Sequence, residues 1–549
     1  MYLRYFSLPL LLSGAFASPA LKHHHFRRET GDWDYIIAGA GPAGLIVAER
    51  LVEANKTVLL LERGGPSTYS SGGNLTWDYS PSAPLTLYDV PGLDTALFET
   101  DMSFLCDDTP VYAACTLGGG VEINAMVFIH PRQADFDDKW PQGWQWSEMS
   151  SAAQKLYARN PGSDSPSVDG KIYDPTEYNI LSSFLDTQEY HKVSTFADPN
   201  DKYRVYTHPP WNIKDGERAG PVRTYLPLAQ KSSNFKLQMH TTVVRVTREG
   251  SVVTGVEVKN TLTGVTSIIS VSSNARVILA SGSMITPKIL FNSGIGPSDQ
   301  LSIAANSTNS SNFPAQKDWI SLPVGHGLKD HPIVNVNYTT FSNLTAYDFN
   351  SPPTSDNELY LSQRSGPLAQ GVQRLLFWSS FVGSDNVTRS IQGTTSVTAT
   401  DTILVKFYLT HGLTSSGRLG LSADGSSISI LDSPYFTTSA DKEGLAGFID
   451  DFNTAAKNST ILKPQKNISG AESLEGYTSG LHLVGTVKMG CDDGRTGGSA
   501  VVDLDTKVYG IDNLFVVDAS IHPDLPTGNT QAIVMVVAER AAEKILALV

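Results

Sequence analysis

Gly39, Gly41 and Gly44, in the run Gly39-Ala40-Gly41-Pro42-Ala43-Gly44, satisfy the spacing G-x-G-x-x-G. The first glycine permits a tight turn. The second lets the backbone approach a pyrophosphate, and the third lets a helix pack closely on a strand. Backbone N–H groups and the positive end of the helix that Pro42 and Ala43 open would then face phosphate oxygens. Glu62, with Arg63 beside it, supplies the acid expected about 20 residues further on, placed for ribose hydroxyls. This chemistry is the capture of a dinucleotide, and FAD and NAD satisfy it equally.

The spacing has force only in the right setting. Residues 34–38 are an apolar run of strand length, 45–54 read as an amphipathic helix, and 57–62 read as a second buried strand. Together they make a β-α-β unit of the kind that builds a parallel sheet. Residues 275–280 and 515–518 read as further buried strands, with helices expected at 285–291 and 530–548. Segments 237–246, 252–258 and 266–271 alternate like hairpin strands. Residues 64–110 look loop-like, and 302–316 look like a polar surface excursion. From about 330 to 475 the texture changes. Alternation at 333–338, 402–409 and 426–431 predicts an antiparallel sheet in a second domain.

At 549 residues the chain is too long for one ordinary domain. With 40% hydrophobic and 17% charged residues it can bury a large core. The net charge of −14 and the lack of a basic patch exclude nucleic acid and anionic membranes as expected partners. Residues 1–17 read as a signal peptide: Arg4, an apolar run at 5–12, and Ala15-Phe16-Ala17 as a cleavage site. Residues 18–30 then form a linker or propeptide, with Arg27-Arg28 as a dibasic processing site and an incidental His23-His24-His25. Sequons at Asn74, Asn306, Asn309, Asn337, Asn343, Asn386, Asn458 and Asn467 also point to a secreted, N-glycosylated protein. Asn55 matches the rule but lies at a tight helix-to-strand connection, so it is expected to stay unmodified. Among the three cysteines, Cys106 and Cys115 can close a small loop, leaving Cys491 free and buried. No CxxC spacing suits a metal, and no metal site is expected.

Three further segments, taken with the first, resemble the glucose-methanol-choline (GMC) oxidoreductase family. One runs from Cys115 through Gly118-Gly119-Gly120 to Asn124, followed by Asp135-Phe136-Asp137 and Trp140. Another runs from Ala280 to Leu290 and on through Ser293-Gly294-Ile295-Gly296-Pro297 to the Asp330-His331-Pro332 segment. The last joins His482–Gly490 with Val517-Asp518-Ala519-Ser520 and Pro526-Thr527-Gly528-Asn529. In texture they are most similar to the flavin domain of cellobiose dehydrogenases. The resemblance implies an α/β fold, with a Rossmann-like FAD-binding domain and a discontinuous antiparallel-sheet substrate domain. Residues 33–330 would be mainly FAD-binding and 331–476 mainly substrate domain, with 477–549 returning to the FAD domain.

The resemblance also implies FAD as cofactor, a small-molecule alcohol or sugar as substrate, and oxygen, a quinone or another acceptor for the electrons. By motif position, Gly118, Gly119 and Asn124 lie along the flavin. Val243 or Val244, the latter preferred, meets the adenine, and Asp518 and Ala519 lie near the pyrophosphate and ribityl chain. Thr530 and Gln531 open a helix aimed at the flavin N1/O2 edge, where reduced flavin is negative. His482 matches the family's catalytic histidine in the frame His-x-x-Gly-Thr-x-x-Met-Gly, and its imidazole suits a general base. Asn529 holds the second catalytic position. An amide can orient a substrate oxygen but not accept its proton, so proton abstraction falls to His482. Asn529 also reads as a helix cap. Val121 and Glu122 depart from the small hydroxyl residues usual in the family. Glu122 can point away and pair with a base, or it can reshape the pocket. The second case would suit a lyase or cyclase without net redox. Trp378 and Phe377 can stack on a substrate or pack in the core. His326, His331, His522 and Asp524 read as structural.

Overall fold

The computed structural model describes residues 28, 29, 32–77, 79–307 and 313–548. The segment 1–17 expected as a leader, the three histidines at 23–25 and Asn309 lie outside the described residues.

Four short apolar segments cannot leave either face in water, and with one partly exposed edge strand they form the centre of the fold. Leu514–Val516, Arg276–Leu279, Tyr35–Ala38, Val58–Leu61 and Phe235–Gln238 lie side by side in that order, all parallel. Burial on both faces explains why the first four read as runs rather than alternations. Pro42 sits at the first helical position, where its missing N–H costs nothing, and starts the helix Pro42–Glu53. That helix packs against the closing helix Gln531–Ala547.

The segment 237–246, expected as one strand, is two. His240 has φ +55 and breaks the run. Phe235–Gln238 stays in the parallel sheet, whereas Thr241–Glu249 pairs with Val252–Asn260 in a separate antiparallel sheet. Residues 426–431 are also reassigned. Ile428–Asp432 joins Gly417–Leu421 and His326–Leu328 in a small sheet. Leu419, Leu421 and Ile428 from that sheet pack into the core around the parallel sheet. Residues 64–110 lack strands, yet Trp77, Leu85, Val90 and Leu97 build a core of their own with Tyr360 and Leu368.

A larger antiparallel sheet stands over the strand ends. Pro332–Thr340, Thr402–Leu409, Thr388–Ala399 and Leu376–Val382 are successive neighbours, and Val205–Thr207 extends the sheet. This sheet therefore draws on chain before residue 330 as well as after it. Helix Ser439–Lys457 covers its apolar face through Leu445, Ile449 and Phe452.

Cys106 and Cys115 are bridged. Cys491 is free as expected but exposed rather than buried, because it begins an exposed turn. The first and last helices are tied by an ion pair: Arg50 Nε and Nη2 donate to the two Glu539 oxygens at 2.6 and 2.8 Å. Tyr225 also donates to Glu539, whose side chain is 1% exposed. Removing Glu539 leaves the buried Tyr225 hydroxyl without its acceptor and Arg50 with only Glu53 and the more distant Glu49. Glu539→Ala is therefore expected to lower unfolding free energy by about 3–5 kcal/mol in denaturant titration. A loss below about 1 kcal/mol would put this pair in the class of surface ion pairs.

Candidate active site

A single cavity of about 670 Å³ runs from the glycine turn to His482. At one end it is lined by Gly39, Gly41, Pro42, Ala43, Glu62 and Arg63. The glycines divide the work there. Gly39 has φ +105, and a Cβ on it would come within 2.5 Å of the Ala280 carbonyl oxygen. A Cβ on Gly44 would lie 2.0 Å from the Gly39 carbonyl oxygen, so Gly44 is behind the cavity and sets the helix-to-strand approach. A Cβ on Gly41 would meet nothing closer than 4.0 Å. Gly41 caps the helix without a side-chain hydrogen bond, so the N–H groups of the first turn remain for a ligand's phosphates.

Glu62 accepts from the Ala40 and Gly64 N–H groups, each at 2.8 Å. Burial raises its carboxyl pKa, and these N–H groups oppose the rise. Each oxygen keeps a further acceptor direction that a ribose hydroxyl can use. Arg63 donates to Asp108, so it forms wall rather than a free cation. Thr241, Thr242 and Val243 line the next stretch, but Val244 does not. Of the two residues expected near the adenine, Val243 is the one at the cavity wall. The Val244 carbonyl accepts from Asn292 at 3.2 Å.

Gly119 and Asn124 line the cavity, while Gly118 stands just behind it. Gly118 has φ +92, and a Cβ there would lie 2.4 Å from Glu122 Cγ. Glu122 thus points away from the cavity. It is buried in the field of Arg218 and Arg223, and burial still pushes its carboxyl up to about 7. The carboxylate that would have suited a lyase is therefore not among the cavity's lining groups.

Asp518 lines the cavity and is locked by Gly282 N–H, the Thr286 hydroxyl and Ser520. Ala519, Thr530 and Gln531 also line it, so the closing helix begins at the cavity wall. Asn124 Nδ2 donates to Gln531 Oε1 at 2.9 Å. That leaves Gln531 Nε2 buried without a partner. An unsatisfied donor at a cavity wall, on a positive helix end, fits an acceptor edge such as that of a flavin.

The far end holds the base. The Gln392 amide donates to Asn529 Oδ1 at 3.0 Å. Asn529 Nδ2 then donates to His482 Nε2 at 3.1 Å. This order leaves the Nε2 lone pair as acceptor and the ring proton on Nδ1, which meets His331 Nδ1 at 3.0 Å. Burial lowers the pKa of both histidines, most strongly that of His331, so the pair is neutral near pH 7. Asp330 holds both rings in place: its Oδ1 accepts the backbone N–H of His331 and of His482, each at 2.8 Å. Tyr435 and Ser479 donate to its other oxygen. Asn529 does not cap the closing helix; Thr530 precedes that helix without a side-chain cap.

Some sequence candidates fall away. Trp378 and Phe377 are fully buried core, and Trp378 lies under Lys202 at 5.0 Å. His522 is buried against Trp140, and Asp524 pairs with Lys329 at 2.6 Å. Sequence reasoning missed the direct contact of His331 with His482, and the roles of Gln392, Tyr408 and Lys406 as cavity-face residues. The alternation of the 402–409 strand marks Lys406 and Tyr408 as one face but not which face meets the cavity. Among the described residues no cluster could hold a metal ion.

Comparison with known proteins agrees with this geometry. Two family models described as GMC oxidoreductase match residues 33–333 and 414–538. The chain is 26% identical to "Dehydrogenase eriK" of Hericium erinaceus, covering 98% of each chain. It is 25% identical to the mitochondrial choline dehydrogenase of Homo sapiens, covering 93% of this chain and 89% of that one. Its fold matches a crystal structure of formate oxidase with TM-score 0.75 at 19% identity, over 95% and 98% of the two chains. A fungal aryl-alcohol oxidase structure matches with TM-score 0.69 at 19% identity, over 94% and 99%. The paired models span most of the chain and meet at the cavity: the protein belongs to the GMC oxidoreductase family and takes FAD as its cofactor.

Proposed function

We propose that the protein is a secreted enzyme that oxidises the C–OH group of a small-molecule alcohol or sugar hemiacetal. The observation that carries this reading is the His482 Nε2 acceptor, fixed by Asn529 at the end of the FAD cavity. Bound FAD supplies the hydride acceptor, its N5. The substrate hydroxyl displaces the Asn529 amide from the His482 Nε2 lone pair and gives its proton there, and Asn529 Nδ2, turned to the substrate oxygen, donates to it and holds it beside Nε2. The His331 Nδ1 contact fixes the ring tautomer and steadies the imidazolium formed. Gln392 keeps the Asn529 amide in the useful orientation. Relatives named as dehydrogenases and a structural neighbour named as an aryl-alcohol oxidase support the reaction type.

The pH dependence follows in sign. An imidazole ordinarily titrates near 6.5, and burial moves His482 below that. Only the neutral form accepts a proton. The kcat/KM for flavin-dependent oxidation is therefore expected to stay level from neutral pH down past 6.5 and to fall only at lower pH. An inflection above 7 in that profile would contradict a buried neutral base.

Export rests on the surface. Asn74, Asn306, Asn337, Asn343, Asn386, Asn458 and Asn467 are all exposed, and the chain carries a disulfide. Asn55 is exposed too, at φ +59 where the first helix turns into the next strand. Treating protein from a eukaryotic host with an N-glycosidase is expected to lower its mass by several glycans. An unchanged mass would remove this support.

A further inference from the structure

One charged group at the cavity has no task in the chemistry above. In the large sheet, Lys406 lies opposite Asn335 on one neighbouring strand and Thr394 on the other. Tyr408, two residues on, lies opposite Ile333 and Gln392. Directly opposed residues, and residues two apart, share a face of the sheet. That face looks into the cavity: Ile333, Asn335, Lys406 and Tyr408 line it, and Gln392 orients Asn529. The Tyr408 ring centroid is 6.2 Å from that of His482. Lys406 is set back along the strand by two residues, about 7 Å at the usual rise.

Among the described residues, the Lys406 side chain makes no hydrogen bond or ion pair. The charge that acts on it is Asp94, a carboxylate influenced by Arg218 ahead of Lys406 and also by Arg374. A half-buried ammonium without an acceptor is costly, and an anion entering beside it would remove that cost. Burial already holds the Lys406 pKa below its ordinary range.

We propose that Lys406 receives a carboxylate on the substrate, so that the site selects alcohols bearing a negative charge near the reacting carbon over uncharged ones. This rests on the oxidation reading above and names the substrate class for the same site. The hydride and the hydroxyl proton leave as before, and the carboxylate is bound without reacting.

The test uses the holoenzyme and two matched probe pairs, benzoate with benzamide and acetate with acetamide, titrated while the visible flavin spectrum is followed. A charge-assisted hydrogen bond should favour at least one carboxylate over its amide by about tenfold or more. Lys406→Met and Lys406→Gln should abolish the preference at unchanged flavin content, and Lys406→Arg should retain it. Equal binding of carboxylate and amide in the unmodified enzyme, no binding of either, or a preference that survives Lys406→Met would overturn the proposal. An anaerobic alcohol panel run in parallel separates the two readings. If neutral alcohols bleach the flavin and no carboxylate preference exists, oxidation stands and the anion site falls. If no alcohol bleaches the flavin but the Lys406-dependent preference holds, the anion site stands and the oxidation reading falls.

Discussion

Replacing His482 with alanine is expected to slow anaerobic flavin reduction by about 10²- to 10⁴-fold, the usual worth of a positioned general base. Three features make the effect large. The Nε2 lone pair is the acceptor at the cavity, held by the Asn529 amide N–H until a substrate hydroxyl replaces it. Asn529 itself carries no basic atom that could substitute. His331, the nearest other imidazole, is fully buried and engaged through its Nδ1, so it has no open path to a substrate hydroxyl. Flavin content should be unchanged, because no atom of His482 contributes to the phosphate cradle. Single-turnover absorbance is the measurement. A rate within threefold of the unmodified enzyme would remove His482 from the mechanism. The companion Asn529→Ala should be milder, as it removes an orienting donor and leaves the base.

The second large effect is loss of the cofactor, and two neighbouring glycines should lose it for different reasons. A methyl at Gly44 would be driven into the Gly39 carbonyl at 2.0 Å, with the Ala280 side chain at 3.3 Å behind it. The helix Pro42–Glu53 would have to lift off the sheet. Gly44→Ala is therefore expected to yield protein without flavin and with a lowered melting temperature even before flavin is considered. Gly41 has φ −72, open to any residue, and its methyl would enter empty cavity space. Gly41→Ala should fold with near-normal apoprotein stability and still bind FAD poorly, because the methyl occupies the phosphate position. Flavin released by denaturation, measured per mole of protein, distinguishes the cases. Stoichiometric flavin in Gly44→Ala would mean that the turn does not set the cradle.

What could be read without coordinates was mainly what is local. The glycine turn, the strand before it and Glu62 are close in sequence, and each is constrained by one short-range need. The catalytic end was legible only by motif, because its geometry is built across long separations. His331 meets His482 across 151 residues, and Gln392 meets Asn529 across 137. Nothing in either local sequence announces the partner. The strand expected at 237–246 failed at His240, where a non-glycine residue takes a left-handed conformation that alternation cannot reveal. Val243 rather than Val244 lines the cavity, a one-residue difference that a period-two pattern cannot place. Helix Trp146–Arg159 escaped notice because its buried positions, Met149, Ala152, Ala153 and Leu156, are small or few among serines and charges. Glu122 looked like a possible active-site carboxylate because sequence places it beside Gly118-Gly119. Only the turn of the short helix Gly120–Ile123 shows that it faces Arg218 instead.

The proposed mechanism breaks a C–H bond of the substrate, with bound FAD as the hydride acceptor, while His482 takes the hydroxyl proton. It is tested most directly by mixing the holoenzyme anaerobically with an alcohol that reduces it and with the same alcohol deuterated on the reacting carbon. The expected result is bleaching of the visible flavin band in both, one carbonyl product per flavin, and a slower bleach with deuterium. Consumption of the alcohol with the flavin band intact would contradict it.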